Sequence, residues 1–597
     1  MRELCCFRWP ITFLLLLAAH LCLADAVRIK HLERCGNIFD KQIQEFCIAM
    51  AEGLSADRLT VKLNGKSLPS NKVKREGNLL RILVHTSQYE SGALWIEAGK
   101  QSSNPVWLSL QGSHVVAATD EEVTKNMDGL NTYIDLVSVI IEEQYDGLKE
   151  ARELAKKYNA TVVGMIPPLN TYQLRLPAKN LMERDAIILR LGNEITVDAV
   201  IIEETNPEKP AEEGFPAEGE VDSKGKSEDA HNSEWISNRF LDAVEYYKRR
   251  VSNSQKSIKT HPIRVGIIER NVDFDSPDFA DYTGHCRRSA GRTCLYARDG
   301  DKPDSHGSSV AGILAAVWDN AGNSGFLRAF DKVGPGFEII VERNSDAGIT
   351  ANVAASVNLV QDGVRVLNWS WGIHRVGARN VEGEEIDSLV RSGLAMSGYE
   401  ELLEEFFLWL RMNHPDVVVV NSAGNGASFS GSDEYRLPSS FVTEQLIVVG
   451  GHERSKKKGA DLKDPHYVTK RRSSNVDMRV DITAAACTQG STSTVNETGD
   501  RHCGTSYATP LVTGTIAAML SINPTLTPEQ LRMLLRRSAL TIGPETDFEP
   551  ADADDLTSPI LPSERNNQIN HPDVGHSARL DMYKAIDLSF QSLERVR

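Results

Sequence analysis

Three polar residues in small-residue stretches, and one carboxylate at the end of an apolar run, could do chemistry in this chain. Ser506 lies in HCGTSYATPLVTG, immediately before an apolar segment with helical character. A nucleophilic serine needs an approachable hydroxyl, and a helix N-terminus supplies N–H groups that stabilise negative charge. The same position also suits an ordinary helix N-cap. His306, in DSHGSSVAG, precedes another small-residue helix and is weak evidence for catalysis when taken alone.

Two further residues follow predicted buried strands. Asn425 ends VVVVNSAGN, where its side-chain amide could donate to an oxyanion, although asparagine is also a common turn former. Glu269 follows the apolar run 265–268 in RVGIIERN. By itself it could be a catalytic acid, the remnant of one, or a surface residue at a strand end.

Taken together and in chain order, these segments resemble those of the subtilisin-like serine peptidases over about residues 235–588. GTSYATP matches the family's Gly-Thr-Ser-x-Ala-x-Pro around the nucleophile. HGSSVAG matches His-Gly-Thr-His-Val-Ala-Gly, with Ser308 and Ser309 substituted, and SAGN matches the oxyanion-hole motif. The resemblance implies that Ser506 attacks the scissile carbonyl and that His306 accepts and returns the proton. It also implies that Asn425 and the Ser506 backbone N–H hold the oxyanion.

The position of the family's acid is taken by a glutamate. In the family an aspartate ends the strand and a Pro-Asp-Leu follows eight residues later; here Pro277 lies eight residues after Glu269. Asp273 is a second candidate for the acid. It ranks below Glu269 because the turn would have to shift for Asp273 to reach the histidine. Some serine hydrolases of other folds use Ser-His-Glu, so a glutamate can serve if the site accommodates one more methylene. The competing hypothesis is a catalytically impaired subtilisin fold that binds peptides or partners through the same cleft.

The resemblance also implies where substrate binds. LNWSWG places Ser370, Trp371 and Gly372 where the family has an edge strand that pairs with the substrate backbone, so the expected partners are polypeptide substrates. Asp433 and Glu434 fall near the family's specificity pocket and favour basic substrate side chains. No cofactor is expected to be required. Structural calcium is frequent in the family, but the sequence assigns no ligands to it.

The strands and helices that must position these residues are visible as sequence patterns, and these patterns indicate an α/β fold. Short β-branched runs alternate with helices from residue 235 onward, which indicates a parallel sheet covered on both faces. Apolar and polar residues alternate over 59–111, which predicts an antiparallel β-module resembling immunoglobulin-like sandwiches. Residues 131–205 have the order βαββαβ of a ferredoxin-like unit. The predicted organisation is a signal peptide at 1–26, a β-rich module at 27–120, the ferredoxin-like unit at 131–205, an acidic disordered linker at 206–234 and the peptidase domain at 235–590.

The family resemblance gives the unit at 131–205 a possible role. Subtilisin-like enzymes are often made with a propeptide of this fold, which assists folding and blocks the active site. The unit is therefore expected to be a pro-domain that inhibits its own chain, and the alternative is an unrelated accessory domain. The β-module is either part of the pro-region or a docking module.

The net charge, the N-terminal sequence and the cysteines limit the expected partners and the cellular compartment. A net charge of −16 over 597 residues argues against a nucleic-acid partner. The N-terminus has a basic start, an apolar run at 11–23 and small residues near 24–26, which predicts a signal peptide and a secreted or periplasmic protein with no membrane span. The alternative, a membrane anchor, needs about 20 apolar residues. Six of the nine cysteines lie outside the predicted signal peptide. Their spacing suggests three local disulfides, Cys35–Cys47, Cys286–Cys294 and Cys487–Cys503. The alternative is a metal site.

Overall fold

The fold was analysed in a computed structural model. It describes residues 27–51, 59–127, 130–205, 235–252, 258–286, 291–300, 303–318, 323–342, 348–375, 390–391, 393–426, 436–455, 460–471, 473–475, 479–493, 501–542 and 578–595. The predicted signal peptide and linker lie outside these ranges, as do Asp433 and Glu434. No helix in the described ranges is long and apolar enough to cross a membrane.

The N-terminal module consists of two antiparallel sheets packed around their own apolar core. Alternation of apolar and polar residues builds it: in LLRILVH every second side chain is buried. The first sheet has the order β1-β2-β6-β5, and the second has the order β4-β3-β7-β8 with β9 also paired to β7. The strands are β1 Ile29–Cys35, β2 Ile43–Met50, β3 Leu59–Leu63, β4 Lys66–Ser67, β5 Val73–Glu76, β6 Leu79–His85, β7 Gly92–Ala98, β8 Gln101–Ser102 and β9 Val106–Leu108.

The next unit has the order βαββαβ. Its elements are β11 Asn131–Ile141, α1 Gly147–Lys157, β12 Thr161–Ile166, β13 Thr171–Arg175, α2 Leu181–Leu191 and β14 Val197–Thr205, preceded by the short β10 Val123–Lys125. Asp146 and Asn180 cap the two helices by accepting from backbone N–H groups in their first turns. The strands pair antiparallel in the order β12-β13-β11-β14, which is the arrangement of a ferredoxin-like sheet.

The C-terminal part is built on a sheet of ten strands, and it confirms the predicted α/β class. The parallel order is β16-β17-β15-β18-β21-β23-β25-β29, with β28 and β24 added antiparallel. Its strands are β15 Ile263–Ile267, β16 Cys294–Tyr296, β17 Phe337–Val341, β18 Val366–Trp369, β21 Val418–Ser422, β23 Leu446–Arg454, β24 Val468–Lys470, β25 Ile482–Ala485, β28 Leu540–Thr541 and β29 Ala578–Arg579. Smaller pairings use β19 Ile373–Arg375, β20 Val390–Arg391, β22 Arg436–Leu437, β26 Cys487–Gln489 and β27 Arg501–Cys503.

Helices cover this sheet. They are α3 Phe240–Ser252, α4 Tyr282–His285, α5 Ser305–Ala315, α6 Gly348–Gln361, α7 Gly393–Asn413, α8 Thr505–Ile522, α9 Pro528–Ser538 and α10 Met582–Arg595. Every residue of α8 is buried, and its apolar side chains belong to the largest hydrophobic cluster of the described residues. A helix that is apolar all round must be enclosed on all sides, so α8 forms a rigid support for the residues at its first turn.

The βαββαβ unit packs on α6 and α7. Leu136, Ile140 and Ile201 share a core with side chains of both helices. The Glu204 backbone N–H donates to the Tyr399 hydroxyl at 2.8 Å, and Thr350 at the start of α6 donates to the Glu203 carboxylate. The contact therefore combines apolar burial with a carboxylate at a helix N-terminus, where negative charge is favoured.

Two of the three predicted disulfides are present, and one is corrected. Cys35–Cys47 joins β1 to β2, and Cys487–Cys503 joins β26 to β27. Cys286 and Cys294 are instead free thiols whose side chains are hydrogen-bonded to each other. Burial raises the pKa of the Cys286 thiol well above its ordinary value, with a further contribution from Cys294.

Candidate active site

The acid and the histidine meet at the carboxyl end of β15. Glu269 follows the strand by two residues and is only 7% exposed. His306 is the second residue of α5, and its Nδ1 lies 3.0 Å from Glu269 Oε1. This is the distance of a hydrogen bond in which Nδ1–H donates to the carboxylate. The contact leaves Nε2 as the ring nitrogen that can exchange a proton with substrate.

Asp273, the second candidate for the acid, has a different role. Its Oδ2 accepts from the Ser493 backbone N–H at 2.6 Å and from the Ser493 hydroxyl at 2.7 Å, and its Oδ1 accepts from the Asp275 N–H. Its carboxylate is therefore engaged with the segment that follows β26. The structure brings Glu269, and not Asp273, to the histidine.

Ser506 is the second residue of α8 and lies beside the strand segment predicted to bind substrate. Its Oγ donates to the Ser370 carbonyl at 3.3 Å, and the Ser370 hydroxyl donates to the Ser506 carbonyl at 2.9 Å. The preceding Gly504 donates its N–H to the Ala486 carbonyl at 2.8 Å, next to the Cys487–Cys503 disulfide. The loop that carries the serine is thus fixed on both sides by backbone contacts and one covalent bond.

Asn425 is oriented by the residue next to the serine. Its Oδ1 accepts from the Thr505 backbone N–H at 2.8 Å and from the Thr505 hydroxyl at 3.1 Å. Because the carbonyl oxygen is engaged, the amide nitrogen is the group left to donate elsewhere. A Cβ on Gly504 would lie 3.2 Å from that nitrogen, so the absence of a side chain there keeps the amide accessible. Together with the N–H groups at the start of α8, this amide can stabilise an oxyanion.

The substrate-binding segment follows β18. Asn421 donates from its side-chain nitrogen to the carbonyls of Trp369 and Trp371, both at 2.8 Å, which fixes the backbone on either side of Ser370. Gly372 then leads into β19. The structure therefore brings all the residues predicted for catalysis and substrate binding to one edge of the sheet, at the carboxyl ends of β15, β18 and β21.

Sequence reasoning missed Asp304, which lies beside the candidate acid. Its Oδ1 accepts from the Gly307 N–H at 2.9 Å and caps α5. Burial and the charge of Glu269 raise the pKa of its carboxyl, while the Gly307 N–H and His306 act in the opposite direction. The sequence signal for this residue was available, since an Asp immediately before a small-residue helix is a typical N-cap.

One group of carboxylates in the described residues has the spacing of a cation site. Asp198, Glu401 and Glu405 lie on β14 and α7, away from the serine, with one oxygen of each within 4.8 Å of the others. Oxygen donors suit calcium, but calcium takes six to eight of them. Burial and the charge of Asp198 raise the pKa of the Glu401 carboxyl to about 7. Three carboxylates fall short of that number of donors, so calcium is not assigned to this group.

Comparison with known proteins identifies the family of the chain. The sequence model of the Subtilase family matches residues 260–573, just over half of the chain, and the chain belongs to that family. It is 29% identical over 297 residues to fervidolysin from Fervidobacterium pennivorans, covering 46% of this chain and 37% of fervidolysin. It is 25% identical over 282 residues to subtilisin DY from Bacillus licheniformis, covering 47% of this chain and 85% of that protein. The crystal structure of fervidolysin aligns with a TM-score of 0.45 and 17% identity over 81% of this chain and 64% of that one.

Proposed function

We propose that the chain is an exported serine endopeptidase, made as a proenzyme, in which Ser506, His306 and Glu269 form the catalytic triad. The observation that carries the proposal is the 3.0 Å contact between His306 Nδ1 and a nearly buried Glu269 carboxylate. A carboxylate in this position holds the imidazole in the tautomer and orientation that proton transfer requires. Export is supported by the N-terminal sequence and by two disulfides, which persist in oxidising compartments.

The proposed reaction proceeds through an acyl-enzyme. The Ser506 Oγ attacks the scissile carbonyl carbon while His306 Nε2 takes its proton, and the carbonyl oxygen becomes an oxyanion. Asn425 and the Ser506 backbone N–H donate to that oxyanion. The imidazolium then gives its proton to the leaving amine as the C–N bond breaks. Water, activated by the same imidazole, hydrolyses the ester and restores the serine.

The βαββαβ unit is proposed to be the intramolecular inhibitor. It lies immediately before the linker at 206–234 and packs on α6 and α7 through a shared apolar core and the Glu203–Thr350 and Glu204–Tyr399 contacts. Its last strand, β14, ends at Thr205, so the chain leaves the unit directly into the linker. Cleavage within the linker would separate the unit covalently from the peptidase domain.

The test is covalent labelling of the serine by a fluorophosphonate. The full chain is incubated until labelling stops rising, and is compared with Ser506→Ala and with Ser521→Ala, a control at the other end of α8. We expect labelling and casein hydrolysis in the wild type and in the control, and neither in Ser506→Ala. Absence of both activities from the wild type would instead favour the binding protein with an impaired site.

Processing gives a second, independent readout. If the linker is cut by the chain's own active site, the wild type should yield a separate N-terminal fragment whereas Ser506→Ala remains intact. Mixing Ser506→Ala with a small amount of processed wild type shows whether cutting also occurs between molecules. A wild type that labels with fluorophosphonate yet remains uncut would contradict the proenzyme proposal and leave the peptidase proposal standing.

A further inference from the structure

Arg436 is a buried charged residue that no carboxylate of the described residues pairs with. Its side chain is among the largest that are fully buried. Nη1 donates to the Ser422 carbonyl at 2.6 Å, to the Ser439 hydroxyl at 3.0 Å and to Asn421 Oδ1 at 3.4 Å, and Nη2 donates to the Ser422 hydroxyl at 3.4 Å; Nε has no hydrogen-bond partner. No carboxylate of the described residues pairs with it, and burial alone lowers its pKa to about 9. A buried guanidinium normally has an anionic partner, because the loss of hydration is otherwise not offset.

The position of this guanidinium connects it to the active site. It lies between Gly372, in the proposed substrate-binding segment, and Gly424, which immediately precedes Asn425. A Cβ on Gly372 would lie 2.6 Å from Nη1, and a Cβ on Gly424 would lie 2.8 Å from Cδ, so both backbones touch the arginine where other residues would overlap with it. The Ser422 carbonyl that holds it belongs to β21, the strand that leads to Asn425.

The position of Arg436 relates it to one residue of a bound substrate, the residue that contributes the scissile carbonyl. A substrate strand beside 370–372 presents its scissile carbonyl to Ser506 and Asn425. The side chain of the residue that contributes this carbonyl then enters between 370–372 and 423–425, because these two segments flank the oxyanion donor. The Arg436 guanidinium packs against both segments, at Gly372 and Gly424, and its Nε–H has no hydrogen-bond partner.

We propose that Arg436 receives the carboxylate of an Asp or Glu side chain at the residue whose carbonyl Ser506 attacks. The inference rests on the proposed peptidase function and adds its substrate class: polypeptides cut after an acidic residue. A guanidinium can donate two parallel N–H groups to a carboxylate, whereas the corresponding amide of Gln or Asn leaves the buried charge without a counter-ion. This is the reverse of the basic preference expected from Asp433 and Glu434.

The experiment compares the hydrolysis of matched peptides by the full chain. The chain is first incubated until fluorophosphonate labelling of Ser506, followed in separate samples, stops rising. The substrates are succinyl-Ala-Ala-Pro-Xaa-p-nitroanilides with Glu, Gln, Phe or Lys as the last residue. We expect kcat/KM for Glu to exceed that for Gln by at least about 100-fold, because a site built for a charged hydrogen-bonding group rejects its neutral isostere strongly. A Glu/Gln ratio near one, or a preference for Lys or Phe, overturns the proposal.

Arginine variants assign the preference to this side chain. In Arg436→Met the Glu/Gln ratio should fall to about one, and in Arg436→Lys it should be intermediate, since the charge is kept and the planar fork is lost. Arg537→Met, an exposed helix residue, is the matched control and should keep the wild-type ratio. An unchanged ratio in Arg436→Lys and Arg436→Met contradicts the assignment. If Arg436→Met does not fold, the wild-type and Arg436→Lys ratios still decide.

The outcomes separate this inference from the function on which it rests. No labelling of Ser506 and no hydrolysis of any peptide refutes both the peptidase and its specificity. Labelling with hydrolysis that shows no preference for Glu refutes the role of Arg436 alone.

Discussion

Replacement of Glu269 tests the geometry of the triad most directly. A hydrogen bond to a charged group contributes about 1.5–3 kcal/mol, which is roughly 10- to 150-fold in rate. Loss of the acid from such a triad costs more, roughly 10⁴-fold in kcat, because the histidine also loses its fixed tautomer and the charge that stabilises the imidazolium. Glu269→Ala is therefore expected to lower kcat/KM by about 10⁴-fold, equivalent to about 5.5 kcal/mol.

The Glu269→Asp variant tests the position of the carboxylate while its charge is kept. In Glu269→Asp the carboxylate is withdrawn by about one C–C bond, 1.5 Å, so the 3.0 Å contact with His306 Nδ1 lengthens to about 4.5 Å. That is beyond a hydrogen bond, and we expect a loss of about 10- to 100-fold, smaller than for Glu269→Ala because the charge remains nearby.

The assay is kcat/KM on a fluorogenic casein substrate, with thermal unfolding of each variant in parallel. Glu529→Gln, an exposed residue on α9, is the control and should leave both values unchanged. Activity of Glu269→Ala within tenfold of the wild type would refute the assigned acid. A concurrent large loss in Asp273→Asn, with normal unfolding, would transfer the role to Asp273.

Three further predictions concern the oxyanion donor, the carboxyl group beside His306 and a carboxyl group on α7. Asn425→Asp keeps the acceptor for Thr505 but removes the amide donor, so kcat should fall by at least about 10²–10³-fold with little change in unfolding temperature; normal kcat would exclude this oxyanion donor. Asp304→Asn keeps a good helix cap but removes a negative charge near His306. The pKa that describes the fall of kcat/KM at low pH should therefore decrease, and activity should extend to lower pH. An unchanged or higher pKa in this variant would contradict the prediction. Burial, Asp198, Glu404 and Glu405 raise the pKa of Glu401 to about 7. Its protonated form is thus favoured in the folded state, and its stabilising contribution is present below about pH 4.5 and lost as pH rises through 7. In a Ser506→Ala background, Glu401→Gln should flatten the decline in unfolding temperature between pH 5 and 8, and an identical decline in both proteins contradicts it.

The parts of the fold that the sequence predicted are those specified by local pattern. Alternating apolar residues marked the β-module, and β-branched runs marked β15, β18, β21 and β23 to within a few residues. Glu269 was predicted as the acid because Pro277 fixes its register against a motif, and its carboxylate does lie 3.0 Å from His306 Nδ1. These signals are carried by neighbours in the chain, so a single sequence contains them.

What the sequence did not reveal depends on distant contacts. Arg436 carries no motif, and its importance appears only when Gly372, Gly424 and Ser422 surround it in space. Cys286 and Cys294 are close in the chain and were predicted to bond, but both are free thiols in the folded chain, and spacing alone does not report this. The docking of β14 on α7 likewise follows from tertiary packing alone.

The two unusual charged residues of the site should act on different steps. Glu269 contacts the histidine proposed to move the proton, whereas Arg436 contacts Ser422 and Ser439 and is proposed to receive the substrate side chain. A change at Glu269 should therefore lower kcat/KM for Glu and Gln substrates by the same factor and leave their ratio unchanged. A change at Arg436 should alter the ratio. Because the residues share no partner among these contacts, their effects in Glu269→Asp combined with Arg436→Lys should multiply. A double variant that departs from this product by more than about threefold would show that substrate charge and proton transfer are coupled through the substrate strand.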